Sequence, residues 1–176
     1  MDRLIVIALQ LALTDGFDFP VGPPDGDGYY DAQPFGGESA HLGSDWNGVR
    51  GGDSDLGDPV FAIADGRVTV AEDVENGWGN VVRVAHRVRD GRGERVVESL
   101  YAHLDRIHAR PGQFVRRGQM IGTIGTAHDH YRAHLHLEIR DSVGAPLGGG
   151  YGTAEAQLDP TVFIRAHRPR RADRLL

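Results

Sequence analysis

Hydrophobic and polar residues alternate in short runs along most of this chain, which is the pattern of β-strands rather than of long helices. The run RAHLHLEIR, residues 132 to 140, is the clearest case. A period of two divides it into an aliphatic face and a polar face: Leu135, Leu137 and Ile139, then His134, His136 and Glu138. The aliphatic face suits a hydrophobic core. The polar face must meet water, pair internally or hold a metal, because unpaired polar groups are costly to bury.

Turn signals predict further strands. The segments PVFAIA and RVTVAE flank Asp65-Gly66, and NVVRVAHRV and RVVESLYAHL flank RDGRGE. Asp-Gly and short glycine-containing turns between such runs are typical of β-hairpins. The segment PGQFVRRGQMIGTIG adds two short strands, and LDPTVFI is expected to close the fold. Successive hairpins favour an antiparallel sheet, so we predict an all-β fold with few short helices.

The pattern is consistent with one folded domain. We interpret residues 35–165 as that domain, residues 1–34 as an N-terminal arm rich in Gly, Pro and Asp, and residues 166–176 as an Arg-rich tail. The apolar run from Leu4 to Leu13 is too short to span a bilayer. Two interpretations of residues 1–15 stay open: the remnant of an export signal, or an ordered segment packed on the domain.

Composition excludes several kinds of function. A length of 176 residues with 40% hydrophobic content is enough for one ordinary core. The formal net charge of -6 provides no basic surface for phosphate backbones, so nucleic acid is not expected as a partner. The chain has no cysteine, which excludes thiolate metal sites and disulfides. It has no lysine either, because all 19 basic residues are arginine, and this excludes a biotinyl or lipoyl carrier domain.

Three separate segments supply groups that could complete a metal site. HLGSD places His41 and Asp45 four residues apart, YAHL places His103 near the end of a predicted strand, and the H-x-H pair adds His134 and His136. Catalytic zinc sites take three nitrogen or oxygen ligands from the protein and keep a fourth position for water. Each motif alone is more often structural, but their co-occurrence favours a metal centre. One histidine of the H-x-H pair would be a ligand, and the other would remain free beside it.

These motifs resemble those of peptidase family M23, the zinc metallopeptidases of the lysostaphin and LytM type. The resemblance runs from about residue 35 to residue 164 and rests on six motifs in the family's order: HLGSD, GDPVFAIADGRV, GWGNVV, YAHL, GQFVRRGQMIGTIG and HLHLE. It implies a compact antiparallel β fold, related to the barrel-sandwich hybrid of carrier domains. The usual substrates of similar proteins are peptide cross-links of bacterial peptidoglycan.

The resemblance also implies a role for each candidate site residue. A Zn²⁺ ion would be held by His41, Asp45 and His136, and His103 and His134 would be catalytic imidazoles. Zinc can lower the pKa of a water molecule to about 7 and polarise a scissile carbonyl. One of the two imidazoles would carry the proton from water to the leaving amine, and which one does so stays open. The implied partners are stem and cross-bridge peptides, and we expect a monomer located in the cell envelope, such as the periplasm, or secreted.

Several alternatives remain beside this hypothesis. Relatives that have lost metal ligands act as scaffolds or activators of other cell-wall hydrolases, but here every expected ligand is present, which favours an active enzyme. Glu138 could orient a ligand histidine as a hydrogen-bond acceptor or be an ordinary surface carboxylate. His128 and His130 are either solvated loop residues or groups that face the substrate. The acidic segment 47–58 has no role that its pattern indicates.

Overall fold

The computed structural model describes residues 11–169, which form ten strands and one short helix. Their bounds in chain order are β1 (Tyr29–Gln33), β2 (Ser44–Gly48), β3 (Pro59–Phe61), β4 (Gly66–Asp73), β5 (Asn80–Asp90), β6 (Gly93–Ile107), β7 (Phe114–Val115), β8 (Met120–Ile124), β9 (Leu135–Arg140), β10 (Gln157–Leu158) and α1 (Pro160–Ala166). Most of the candidate export signal and of the Arg-rich tail lies outside the described residues. No helix within residues 11–169 has the length and apolar character needed to cross a membrane.

All strands belong to one sheet, and every pairing between them is antiparallel. The main order is β1-β2-β9-β6-β5-β4-β7, with β10 beside β9 and with β8 between β6 and β3. The prediction of an all-β antiparallel fold is therefore confirmed. The sheet places β9, which follows His134 and contains His136, in its interior between β2 and β6.

One of the two predicted hairpins is correct and the other is wrong. The segments around RDGRGE form the long hairpin β5–β6, paired from Asn80 to Asp90. The segments around Asp65-Gly66 do not pair with each other, because β3 pairs with β8 and β4 pairs with β5 and β7. The backbone N–H groups after β3 have distant acceptors: that of Ala62 donates to Gln119 O at 2.9 Å, and that of Ile63 to the Tyr101 hydroxyl at 3.0 Å.

The main core lies under the aliphatic face of β9, as the alternation predicts. Leu135, Leu137 and Ile139 are completely buried in the largest hydrophobic cluster. The segment LDPTVFI closes this core as the start of α1, whose Phe163 and Ile164 pack into the same cluster. The helix begins there because the Asp159 side chain accepts a hydrogen bond from the Val162 N–H at 2.9 Å, and proline occupies its first position.

His86 is fully buried beside this core and gives the fold a dependence on pH. Its Nδ1–H donates to Asp65 O at 2.9 Å, and its Nε2 accepts from Ser99 Oγ at 2.8 Å. Burial, only partly opposed by the Asp65 carbonyl, lowers the pKa of His86 to about 4. Between about pH 6.5 and that value the unfolded chain binds a proton that the folded chain does not. Stability should therefore decrease as the pH falls through this range.

We expect the His86 contribution to the free energy of unfolding to fall by about 3 kcal/mol from pH 7 to pH 4. Urea unfolding of the wild type and of a His86→Gln variant at several pH values measures it. The variant cannot titrate at this position, so the stability advantage of the wild type should shrink by that amount on acidification. An advantage that stays constant across the range would contradict this account of His86.

Candidate functional site

Three neighbouring strands bring the candidate ligands together. Asp45 of β2 is the register partner of His136 in β9, and β6 places Ala102 opposite His136 on the other side. His41 lies three residues before β2, and His103 follows Ala102. Because Asp45 and His136 sit on paired central strands, the sheet itself fixes their separation.

His41, Asp45 and His136 converge at one point. One ligand atom from each lies within 4.8 Å of the other two, and all three residues are buried. Asp45 Oδ1 is 2.8 Å from His136 Nδ1 and 3.4 Å from His41 Nε2, and these two nitrogens are 3.1 Å apart. Two imidazole nitrogens and one carboxylate oxygen are a donor set that zinc takes in proteins, so these residues could hold such an ion.

Hydrogen bonds on the outer side of each imidazole favour the same reading. The Nδ1–H of His41 donates to Gln33 O at 3.0 Å, and the Nε2–H of His136 donates to Glu138 Oε1 at 3.1 Å. In the neutral rings the facing atoms, His41 Nε2 and His136 Nδ1, are then both acceptors and cannot bond each other. Two such acceptors beside a carboxylate repel one another unless a proton or a metal ion lies between them, and outer acceptors of this kind orient metal-binding histidines.

The electrostatics of the cluster favour a positive charge at this position. Burial lowers the pKa of His136, but hydrogen bonds to Asp45 and Glu138 outweigh it and raise the pKa to about 9. Burial would raise the pKa of Asp45, yet the hydrogen bond from protonated His136 and the proximity of His41 hold it well below its usual range. The carboxylate thus stays ionised, and metal binding would displace the proton on His136.

His103 and His134 lie beside the cluster with one ring nitrogen each left free. Their ring centroids are 4.7 Å apart, and His134 Nε2 is 3.8 Å from Asp45 Oδ1. The Nδ1–H of His103 donates to Trp78 O at 3.2 Å, and that of His134 to Arg132 O at 2.8 Å. Both Nε2 atoms are then acceptors in the neutral rings. Burial, followed by the charges of His136 and His134, lowers the pKa of His103 to about 3.

The backbone of β6 bends at His103 and turns its side chain toward the cluster. His103 has a φ of 62°, a left-handed conformation that is unfavourable for a residue other than glycine. Trp78 O accepts the His103 backbone N–H at 3.0 Å, and Asn80 Nδ2 donates to Leu104 O at 3.1 Å. These bonds hold the irregular segment in place. Such strain is typical of positions where the direction of a side chain matters.

A cleft of about 430 Å³ opens over these five residues. Its remaining walls come from the end of β1, at Gln33, and from loops: Val74, Asn76, Gly77, Trp78, Tyr131, Leu147, Gly148, Gly149, Gly150 and Tyr151. The Tyr131 ring lies 4.9 Å from that of His103, and the Tyr151 ring lies 5.3 Å from that of His41. No motif in the sequence indicated Tyr151 or the glycines before it, since a glycine-rich loop carries no sign of the distant segment it will contact.

The two loop histidines, His128 and His130, and the acidic segment 47–58 do not line the cleft. His128 is exposed and pairs with Asp73 at 2.9 Å, and the Nδ1 of His130 lies 3.1 Å from Ala127 O. The acidic segment 47–58 contacts the backbone next to the site. Asp53 Oδ1 accepts the Ala133 N–H at 2.8 Å, which fixes the backbone immediately before His134.

An antiparallel sheet that joins two histidines and an aspartate beside two free imidazoles has the donor set of a zinc hydrolase centre. The profile of peptidase family M23 matches residues 41–149, which is more than half of the chain. The chain therefore belongs to peptidase family M23, a family of peptidoglycan hydrolases. The family membership predicted from the motifs is confirmed.

Relatives and a solved structure agree with this placement. The chain is 33% identical over 139 residues to the DD-carboxypeptidase/endopeptidase Mpg of Neisseria meningitidis serogroup B, covering 77% of this chain and 28% of that protein. It is also 33% identical over 102 residues to the murein hydrolase activator NlpD of Salmonella dublin, covering 57% and 25%. The chain thus spans about a quarter of the length of these two relatives. The fold is similar to lysostaphin from Staphylococcus simulans, with a TM-score of 0.59, 24% identity and coverage of 79% of this chain and 50% of that chain.

Proposed function

We propose that this chain is an active zinc metalloendopeptidase that hydrolyses peptide cross-links of bacterial peptidoglycan, in the cell envelope or outside the cell. The observation that carries the proposal is the complete donor set of His41, Asp45 and His136 beside two free imidazoles. The outer hydrogen bonds of His41 and His136 support it, because they leave the correct nitrogens facing inward.

The residues around the cluster supply proton transfer and orientation. When bound to His41, Asp45 and His136, a Zn²⁺ ion would supply a Lewis acid for the scissile carbonyl and lower the pKa of water. His103 is buried and neutral at pH 7, so its Nε2 can accept a hydrogen bond from the attacking water and orient it. We assign proton transfer to the leaving amine to His134, whose side chain is 13% exposed at the cleft and can exchange protons with solvent.

The chemistry of the cleft supports an amide substrate. Among the cleft-lining residues in the described part of the chain there is no arginine, and Asp45 is the only carboxylate. Phosphoryl-transfer sites commonly surround the transferred group with arginine or lysine side chains, which these walls do not offer. Aromatic rings and glycine backbone suit an extended, uncharged peptide segment instead.

Digestion of purified peptidoglycan and of muropeptide dimers, followed by mass spectrometry, tests the proposal. We expect zinc-loaded protein to convert dimers into monomers while the glycan strands and the amide between sugar and peptide stay intact. Protein stripped with a chelator should be inactive until zinc is restored. Cut glycan strands or a freed lactyl-sugar among the products would overturn the assignment of a peptidase.

The match to an activator of murein hydrolases supports a second candidate function. In that case the chain would cleave nothing alone and would raise the rate of a separate hydrolase. An Asp45→Ala variant distinguishes the two functions, because an activator should keep its effect without the metal ligand, whereas a peptidase should lose its activity. The complete ligand set favours the peptidase.

Gly43 offers a test of the ligand geometry that leaves every ligand in place. A Cβ atom at Gly43 would lie 2.5 Å from Leu137 O and 2.7 Å from His136 Cε1, so this position between the two candidate ligands has room only for glycine. We expect Gly43→Ala to displace the His136 ring and to weaken zinc binding by about tenfold or more. Competition with a chelating dye measures the affinity.

Gly91→Ala is the matched control for this substitution, since a Cβ at Gly91 meets nothing within 4 Å. Its zinc affinity should equal that of the wild type. An unchanged affinity in a folded Gly43→Ala variant would show that His136 does not need its present position to bind the metal.

A further inference from the structure

Two buried pairs of arginine and glutamate lie behind the candidate metal site. Glu138 and Arg140 are both completely buried on β9, where Arg140 Nε donates to Glu138 Oε2 at 2.6 Å. Arg83 of β5 and Glu98 of β6 are also buried and form a direct ion pair. Taking ions out of water is costly, so a buried pair persists only where further hydrogen bonds satisfy both partners.

Both arginines also donate hydrogen bonds to one loop. Arg140 donates to three consecutive carbonyl oxygens, at 3.3 Å for Ala145, 2.8 Å for Pro146 and 2.9 Å for Leu147. Arg83 donates to the same Ala145 oxygen at 2.9 Å. The carbonyl oxygens of residues 145–147, which are not paired with a strand, therefore accept hydrogen bonds from buried guanidinium groups.

The held loop continues directly into a wall of the cleft. Leu147 and the glycines that follow it line the cleft, and the indole N–H of Trp78 donates to Gly148 O at 3.1 Å. The position of this wall therefore depends on the loop carbonyls that Arg140 and Arg83 hold.

Glu138 connects Arg140 to the candidate metal site, and Arg83 has no such connection. Its Oε1 accepts from His136 Nε2 at 3.1 Å while its Oε2 accepts from Arg140. A continuous series of hydrogen bonds thus runs from a candidate ligand, through one carboxylate and one guanidinium, to the cleft wall. Arg83 holds the same wall, but its carboxylate partner Glu98 does not contact His136.

We propose that Arg140 is a positioning residue that couples metal binding at His136 to the order of the loop at residues 144–150, whose later part is the cleft wall. This inference rests on the proposed function, since it takes His136 as a zinc ligand. Arg140 is needed for its planar fork: a lysine has the same charge, but its single ammonium cannot serve Glu138 and three carbonyls at once. Without the fork, Glu138 would lose the bond that fixes its orientation toward His136.

Reciprocity gives the coupling two measurable sides. If the orientation of His136 and the order of the wall depend on each other through Arg140, bound zinc should make the wall more ordered. A substitution that breaks the series of hydrogen bonds between the wall and His136 should in turn weaken zinc binding. The first effect is visible in the wild type alone. The second requires a variant of Arg140, with the Arg83 variant as the matched control.

The test compares wild type, Arg140→Lys and Arg83→Lys by zinc competition with a chelating dye and by hydrogen–deuterium exchange of residues 144–150. We expect both variants to exchange faster in this loop than the wild type. Arg140→Lys should bind zinc about tenfold more weakly or worse, whereas Arg83→Lys, which keeps the bond between Arg140 and Glu138, should lose clearly less affinity. Equal zinc affinity in Arg140→Lys and wild type, or equal losses in both variants, would overturn the proposal.

Wild-type exchange keeps the test decisive even if Arg140→Lys does not fold. Zinc loading of the wild type should slow exchange in residues 144–150, and exchange that is unchanged by bound zinc would overturn the coupling. A wild type that binds no zinc would instead show that the proposed function itself is wrong. The two failures are therefore distinguishable.

Discussion

Replacing His136 with alanine is expected to give a folded protein that retains little zinc and cleaves no cross-links. His136 would supply one of three protein ligands, so its loss removes a large part of the metal binding energy. It is also the link between Asp45, at 2.8 Å, and Glu138, at 3.1 Å, so both carboxylates would lose a buried partner. Elemental analysis after zinc reconstitution and dialysis, together with the rate of dimer cleavage, measures both effects on one preparation.

His108→Ala is the matched control for this variant, because His108 is an exposed histidine that does not line the cleft. It should hold one zinc per chain and cleave at the wild-type rate. Full zinc occupancy in His136→Ala would remove His136 from the ligand set.

Replacing His103 or His134 with alanine should give the opposite combination of results, with zinc retained and turnover lost. Neither histidine belongs to the cluster of ligand atoms within 4.8 Å, yet both direct a free Nε2 into the cleft. Removal of a group that transfers or orients a proton usually lowers the rate by about a hundredfold or more. Zinc content and turnover should therefore separate these two variants from His136→Ala.

A reversal between the two histidines of the H-x-H motif would correct the assignment directly. If His134→Ala lost its zinc while His136→Ala kept it, His134 would be the ligand and His136 the free imidazole. Zinc retention with near-wild-type turnover in both variants would mean that neither histidine has a role in catalysis.

Alternation along β9 was sufficient to predict the two faces of this strand but not the burial of its polar face. Leu135, Leu137 and Ile139 enter the core as predicted. His136 and Glu138 are buried as well, because Arg140 lies two residues further along the same face and pairs with Glu138. An arginine at that spacing was visible in the sequence, and it favours the reading of Glu138 as an oriented acceptor rather than a surface carboxylate.

The features that the sequence did not reveal all depend on partners far along the chain. Asp65-Gly66 has the local signal of a hairpin, yet β3 pairs with β8 because backbone groups near residue 120 compete for its donors. Tyr151 reaches His41 through an isolated bridge between loops that are separated by more than a hundred residues. Local periodicity carries no information about such competition, whereas the candidate ligand motifs carry their own chemistry and could be predicted directly.

The division between strands and loops at this site has a functional meaning. The three candidate ligands are attached to or next to paired central strands, which fix the donor geometry to within a fraction of an ångström. The cleft walls come from loops that are held by side chains, namely Trp78 and the buried arginines. Substitutions in the loops should therefore change which peptides are accepted, whereas substitutions in β2 and β9 should change metal binding.

A zinc titration of chelator-stripped protein, with cleavage of a muropeptide dimer as the readout, tests most directly whether this chain is a zinc peptidase. Cleavage should rise in proportion to added zinc and reach a plateau at one zinc per chain. An Asp45→Ala variant should give no rise at any zinc concentration. Cleavage that persists after stripping, or a wild type that binds one zinc per chain and still cleaves nothing, would contradict this function.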